Sequence, residues 1–170
     1  MRYYIDGYNL LFYHDPSLQQ LKLNRGLLLD QLNEKAALLN MDLCIVFDAA
    51  YQLGEESRSH YKALEIIYTA YQESADTYLI NHILKIKNPH QVTVVTNDKK
   101  LAALLRPSFV KIESVTAFEK WLDRIYAKKL TEQQKKKKKK PLFSLKVEKK
   151  PSKASLSPQK EEKQELDGQL

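Results

Sequence analysis

One cysteine, four glycines and six prolines are all that 170 residues hold of the types that staple, loosen or interrupt a chain. A lone thiol, Cys44, forms no internal disulfide and no four-thiolate zinc site. With no disulfide framework to maintain, a reducing compartment suffices, and the chain is read as cytoplasmic. So few Gly and Pro exclude a collagen-like repeat and a wholly disordered chain. No apolar run reaches the roughly 18 residues needed to span a bilayer, so no membrane partner is expected. Nor does MRYYIDGYNLLFYHD read as a secretory signal, because Asp6 interrupts its apolar stretch and no small-residue cleavage site follows. Two nucleotide signatures, GxxxxGK[ST] and GxGxxG, are also missing, which argues against nucleotide-fuelled or dinucleotide chemistry. His14, His60, His82 and His90 are scattered without ligand spacing, and no Ser–His or Cys–His arrangement stands out.

What is present is enough apolar material for one core, with 43% hydrophobic residues and a formal net charge of +7. That charge is unevenly placed. Residues 131–170 carry 12 Lys against 6 acids, whereas residues 1–130 carry 16 Lys and Arg against 15 acids. Six consecutive lysines, Lys135 to Lys140, concentrate the excess. The polar stretch after them is poor in aromatics, so residues 131–170 are expected to be a disordered basic tail behind a domain of residues 1–130. Lysine tracts bind polyanions as point charges without base specificity, and they also serve simply as solvated, solubilising segments.

Along residues 1–130, strand and helix patterns alternate. A short apolar strand ends at Asp6. Leu28, Leu32, Ala36 and Leu39 stand near helical spacing, with Asn24 as a candidate cap. The unbroken run Leu43 to Phe47 suits a parallel strand buried on both faces and ends at Asp48. Tyr51 to Lys62 is a polar connection, read as a loop or a broken helix. ALEIIYTA is a third strand. A helix carrying Ala75, Leu79 and Ile83 follows, with Ser74 near its start. Val92 to Thr96 forms a fourth strand closed by Asn97 and Asp98, and FVKIES forms a fifth after a short helix. In the last helix, Thr116 and Glu119 have capping-box spacing. The order β-α-β-loop-β-α-β-α-β-α predicts an α/β fold with a mostly parallel sheet.

Acids gather where such a fold would place a site. Ligands bind open α/β sheets in the crevice beyond the carboxyl ends of the strands. Asp6, Asp48 and Asp98 close three strands there. Glu73 and Asp76 lie just beyond another strand, three residues apart, and so share a face if that turn is helical. Clustered carboxylates are costly unless a cation neutralises them, and hard oxygen donors suit Mg²⁺ or Mn²⁺. A divalent ion in that position lowers the pKa of a water and stabilises the leaving oxygen of a phosphodiester. Each acid also has a plainer role: Asp after a strand is a common helix cap or turn former, and Glu73 and Asp76 favour a helix dipole. Asn9 either closes a turn, orients Asp6 or touches a phosphate. Ser74 and Thr96 are caps or turn formers first and substrate contacts second.

Four blocks in order carry a family resemblance: YIDGYNLL at residues 4–11, IVFDA at 45–49, IIYTAYQESADTYL at 66–79 and VTVVTNDKKLA at 92–102. Over about residues 2–128 the chain resembles NYN domains of the PIN-like nuclease superfamily, in particular the YacP-like branch of bacterial endoribonucleases. The resemblance implies a three-layer α/β/α fold around a mostly parallel central sheet, with an acidic metal pocket. It assigns Asp6, Asp48, Glu73, Asp76 and Asp98 to Mg²⁺ or Mn²⁺. It further implies cleavage of single-stranded RNA by activated water, with messenger RNA as substrate and the ribosome as partner. The block TND varies mildly from T-[SN]-D and keeps its acid. The lysine tract and tail lie outside the resembling segment.

Two main readings follow. In the first, the chain is a metal-dependent endoribonuclease in which Asp6, Asp76, Asp98 and Glu73 carry the chemistry and Asp48 completes the pocket. Asn9, Arg58, Lys99 and Lys100 would then hold substrate, and Tyr8, Tyr51 and Tyr71 are candidates to stack on bases. In the second, the same fold is a non-catalytic module that binds RNA or the ribosome through its tail. Clustered acids favour the first, since negative charge gains nothing for a protein that only binds RNA. A phosphatase of another α/β class is weaker still, because Gly7 and Tyr8 follow Asp6 where a DxD pair would stand.

Overall fold

Successive side chains of a strand point to opposite faces, and in the first two strands both faces are apolar. This builds two cores on one sheet. The computed structural model describes residues 1–16, 21–48 and 56–139. Its elements are β1 (Arg2–Asp6), α1 (Gly7–His14), α2 (Leu21–Leu39), β2 (Asp42–Phe47), β3 (Ser57–Tyr61), β4 (Leu64–Tyr68), α3 (Ala75–Ile83), β5 (Val92–Val95), α4 (Lys99–Leu105), β6 (Lys111–Glu113) and α5 (Val115–Lys139). Tyr3, Ile5, Leu43, Ile45 and Phe47 pack on one face against Leu10 and Leu11 of α1, Leu28, Leu32 and Ala36 of α2, and Phe118 and Leu122 of α5. Tyr4, Cys44 and Val46 pack on the other against Ala75, Leu79 and Ile83 of α3 and Leu101 and Leu105 of α4. The result is three layers, α/β/α, as the sequence predicts.

The sheet order is β3-β4-β2-β1-β5-β6. All pairings are parallel except β3 with β4. The chain leaves β1 toward β2 and β4 on one side, then returns through α3 to β5 on the other. The strand order therefore reverses between β1 and β5, and the carboxyl ends of these two strands flank the switch point where α/β sheets open a crevice.

Several expectations need correction. Tyr51 to Lys62 is neither all loop nor helix: Ser57–Tyr61 is an antiparallel edge strand on β4. Its exposed, polar SRSHY pattern lacked any period to betray it. A helix, α1, begins immediately after β1 and was not anticipated; GYNLLFYH is too short to show a clear stripe. Asn24 caps nothing, since it lies inside α2 and its amide donates to Asp15. In α5 the first-turn cap is Ser114, whose hydroxyl accepts from the Ala117 backbone N–H at 3.2 Å. Thr116 is already helical, and Glu119 is buried, 3.5 Å from His14 and 3.8 Å from Lys35. The tail does not begin at residue 131: α5 continues through Lys139, carrying most of the lysine tract on a helix. Residues 140–170 lie outside the described residues.

The direction of α5 matters for function. Val115 sits at the carboxyl edge, where its N–H donates to the Asn97 side chain at 3.0 Å. Trp121 stacks on Tyr3 near the start of β1, toward the opposite edge. A helix of 25 residues extends about 37 Å, roughly twice the height of a sheet of five- to six-residue strands. Its lysine-bearing end therefore projects past the amino edge of the sheet, away from the switch point.

Candidate active site

Asp6 ends β1 and caps α1. Its Oδ1 accepts the Asn9 backbone N–H at 3.0 Å, and its Oδ2 accepts the Asn9 side-chain amide. Asn9 thus orients Asp6, one of the roles expected of it. The turn is tight because of Gly7: a Cβ there would run into the Phe47 ring, so only glycine lets α1 start directly against β2. Asp6 is 4% exposed. Burial pushes its carboxyl above the ordinary value, hydrogen bonds from Asn9 and Tyr8 pull it back, and the charge of Asp98 pushes it up again.

Asp98 stands across the switch point. It caps α4 through Oδ1, which accepts the N–H groups of Lys100 at 2.6 Å and Leu101 at 3.1 Å. Its own N–H donates to the hydroxyl of buried Thr96 at 3.0 Å, so Thr96 is a turn former. Ser74 caps α3, accepting from Thr77 N–H at 3.1 Å, and thereby sets Asp76 in the first turn of that helix. Asp76 has no such structural duty. Burial raises its pKa first, and then the charges of Asp6, Asp98 and Asp48 each raise it further. Four aspartates from β1, the ends of β2 and β5, and α3 therefore act on one another at the carboxyl edge. No ion pair neutralises any of them among the described residues.

The other candidates fall elsewhere or stand alone. Glu73 is not among the charges acting on Asp76; it lines a groove of about 240 Å³ with Glu56, Arg58, Tyr78, Asn81, His82 and Lys85. Arg58 is committed within the protein: it pairs with Glu56 at 2.8 Å and Glu65 at 3.8 Å and donates to the Tyr78 hydroxyl at 2.7 Å. The structure thus gives Arg58 three partners in the fold beside the substrate role expected of it. Lys99 and Lys100 are exposed in the first turn of α4, directly beside Asp98. Tyr71 is 54% exposed, whereas Tyr8 packs edge-on against Phe47. Tyr51 lies outside the described residues.

Two residues escaped the sequence reading. Asn97 ties the β5 turn to the start of α5. Arg25, on α2, holds its guanidinium 5.7 Å from the Phe47 ring centroid and 5.6 Å from that of Tyr68. Those rings stack on each other at 5.6 Å. No local pattern could have found Arg25, since its partners are distant in sequence and meet only at the carboxyl ends of β2 and β4.

As placed, no three His, Cys, Asp or Glu side chains among the described residues form a ready metal cage. The donor chemistry nonetheless suits Mg²⁺ or Mn²⁺, which take one or two carboxylates directly and keep several waters. The carboxylates of Asp48 and Asp76 and the Oδ2 of Asp98 carry no hydrogen bond or ion pair among the described residues.

Comparison with known proteins agrees with this architecture. The family model described as YacP-like NYN domain matches residues 3–165, which takes the likeness through the lysine tract and well beyond residue 128. Two solved structures of Rae1 (YacP) from Bacillus subtilis share the fold. A point mutant aligns with a TM-score of 0.65 at 19% identity, covering 82% of this chain and 86% of that one. A second structure aligns with a TM-score of 0.62 at 20% identity, covering 80% of each chain. No curated relative matches the sequence.

Proposed function

The chain belongs to the YacP-like NYN domain family, and from that premise we propose that it is a metal-dependent endoribonuclease acting on single-stranded RNA. The observation that carries this reading is the gathering of Asp6, Asp48, Asp76 and Asp98 at the carboxyl edge, where burial and then the charges of the other three raise the pKa of Asp76. Clustered carboxylates are costly unless a cation relieves them, and groups perturbed in this way gather at functional sites. Asp76 and Asp98, with Asp6 and Asp48 around them, would hold Mg²⁺ or Mn²⁺. When bound, the ion supplies positive charge against the scissile phosphate and makes water more acidic. The chain's own residues do the rest. Asn9 fixes the rotamer of Asp6, Ser74 fixes the turn that presents Asp76, and Thr96 fixes the turn that presents Asp98. Lys99 and Lys100 lie beside the acids as phosphate contacts. Glu73 precedes the Ser74 cap and lines the neighbouring groove. Messenger RNA as the substrate and the ribosome as the place of action belong to the same proposal and rest on the family alone.

One observation favours the second reading, a module that binds RNA without cutting it. Asp6 and Asp98 already serve as helix caps, and no ready three-ligand cage stands among the described residues. A single assay separates the two. End-labelled single-stranded RNA is incubated with Mn²⁺, Mg²⁺ or chelator, using wild type and Asp76→Asn, and a second series adds translating ribosomes. Metal-dependent cutting that is lost in Asp76→Asn is expected. Cutting confined to the ribosome series would place the activity there. RNA binding without cutting in either series would sink the nuclease reading in favour of the module.

A further inference from the structure

We infer that Arg25 is the substrate clamp of this site, and that an RNA strand crosses the carboxyl edge of the sheet from Lys99 and Lys100 to Arg25, with the aspartates between. The inference deepens the proposed function, because it names a binding residue and a substrate path for the same edge. Its starting point is charge. The aspartates repel a polyanion, so the edge needs cations that the fold itself does not consume. Arg58 fails that requirement, being held by Glu56, Glu65 and Tyr78. Arg25 meets it: among the described residues its guanidinium touches only the rings of Phe47 and Tyr68.

Placement supports the same role. Phe47 directly precedes Asp48, and Tyr68 is its register partner at the end of β4. Gly7, which abuts the Phe47 ring, directly follows Asp6. Arg25 therefore stands at the same edge as the aspartates but on the side of the sheet covered by α1 and α2. Lys99 and Lys100 mark the opposite end of the path, beyond β5. From β5 across β1 and β2 to β4 is three strand spacings, about 15 Å. The path also passes over the sheet edge from the face covered by α4 to the face covered by α2, a span that several nucleotides cover. Two rings, at 5.7 and 5.6 Å, hold the guanidinium in place while its N–H groups carry no hydrogen bond or ion pair among the described residues. A planar guanidinium so held grips a phosphate bidentately. Stacking on aromatic rings also lowers the entropy lost on binding.

The test measures binding rather than cleavage, so its outcome does not depend on the nuclease reading. Fluorescence anisotropy follows a labelled single-stranded RNA against the full chain in chelator, where nothing is cut. Arg25→Lys, Arg25→Met and Arg25→Ala are compared with wild type, with melting temperatures alongside. Loss of a charge-assisted contact is expected to weaken binding about tenfold in Arg25→Met and Arg25→Ala. The slope of log K against log salt should fall by about 0.7 in both. Arg25→Lys should recover part of the affinity and all of the salt slope. A merely structural role would give the opposite order, since the Met stem still covers Phe47 and Tyr68 and should restore the fold. Wild-type affinity in Arg25→Met, or no binding by wild type itself, would overturn the inference. A wild type that binds through Arg25 yet never cuts would leave the clamp standing and remove the nuclease.

Discussion

Helix α3 touches two polar clusters that are organised in opposite ways. Along its side, Arg2 bridges Asp42 and Glu65, Arg58 bridges Glu56 and Glu65, the Tyr4 hydroxyl meets the His82 ring at 2.8 Å, and Arg58 reaches Tyr78. Acid and base alternate, and burial is offset by pairing. At its N-terminus, the charges of Asp6, Asp98 and Asp48 act on Asp76, and no ion pair among the described residues neutralises any of the four. In the first cluster the charges are neutralised inside the fold, whereas in the second no ion pair among the described residues neutralises them. The same contrast separates Arg58 from Arg25.

The widest separation between the clusters should come from single substitutions in each. Asp76→Asn is expected to lower the cleavage rate on the order of a hundredfold or more, in a labelled-RNA assay, while the protein melts no lower than wild type. Glu65→Ala should do the reverse. It takes one acidic partner from both Arg2 and Arg58, leaves them Asp42 and Glu56, and costs about 1 kcal/mol, less than breaking a fully buried pair would. Denaturant unfolding reads that loss, and cleavage per folded molecule should stay unchanged. Equal losses of stability from both substitutions would erase the distinction.

Acidity sharpens the comparison next. The folded state raises the carboxyl pKa of Asp6 and Asp76 above the ordinary 3.8. Between that value and the raised one, the folded protein holds more protons than the unfolded chain, so the contribution of these groups to stability falls as pH rises. Asp76→Asn removes part of this penalty. It should therefore melt above wild type at neutral pH, with the gap closing as pH falls toward 3.8. A gap that stays constant with pH would contradict the raised values. Mn²⁺ or Mg²⁺ should close the same gap at neutral pH by stabilising wild type alone, through binding to the folded state.

The smallest effect belongs to the lysines at the far end of α5. Because this end projects from the amino edge, replacing Lys135 to Lys139 with Gln should flatten the salt dependence of RNA binding and leave turnover of a short saturating RNA unchanged. A fall in turnover would mean that the tract reaches the acidic edge after all.

Much of this was legible in the residues themselves. The apolar runs ending at Asp6 and Asp48 announced parallel strands, because strands buried on both faces cannot alternate with polar residues. The stripes Leu28, Leu32, Ala36 and Ala75, Leu79, Ile83 announced the helices covering them. Other elements were not legible, each for a physical reason. β3 is an exposed edge strand whose only demand is one row of hydrogen bonds to β4, which no side-chain pattern records. α1 is one short helix whose start depends on Gly7 meeting Phe47 from another strand. Glu73 and Asp76 share a sequence block, yet the Ser74 cap divides them: Asp76 enters the helix, where the charges of Asp6, Asp48 and Asp98 act on it, and Glu73 lines the groove with Arg58 and Lys85.

The fold class, the order of strands ending in acids and the excess of lysine near the C-terminus can be read from the residues, since periodicity and composition are local properties. Which charges remain open depends on how the chain folds. Neutralisation depends on partners far apart along the chain: Glu65 takes up Arg2 and Arg58, while Phe47 and Tyr68 offer Arg25 only their ring faces. Strand order then sets Asp6 and Asp98 across the switch point, where the charges of both raise the pKa of Asp76.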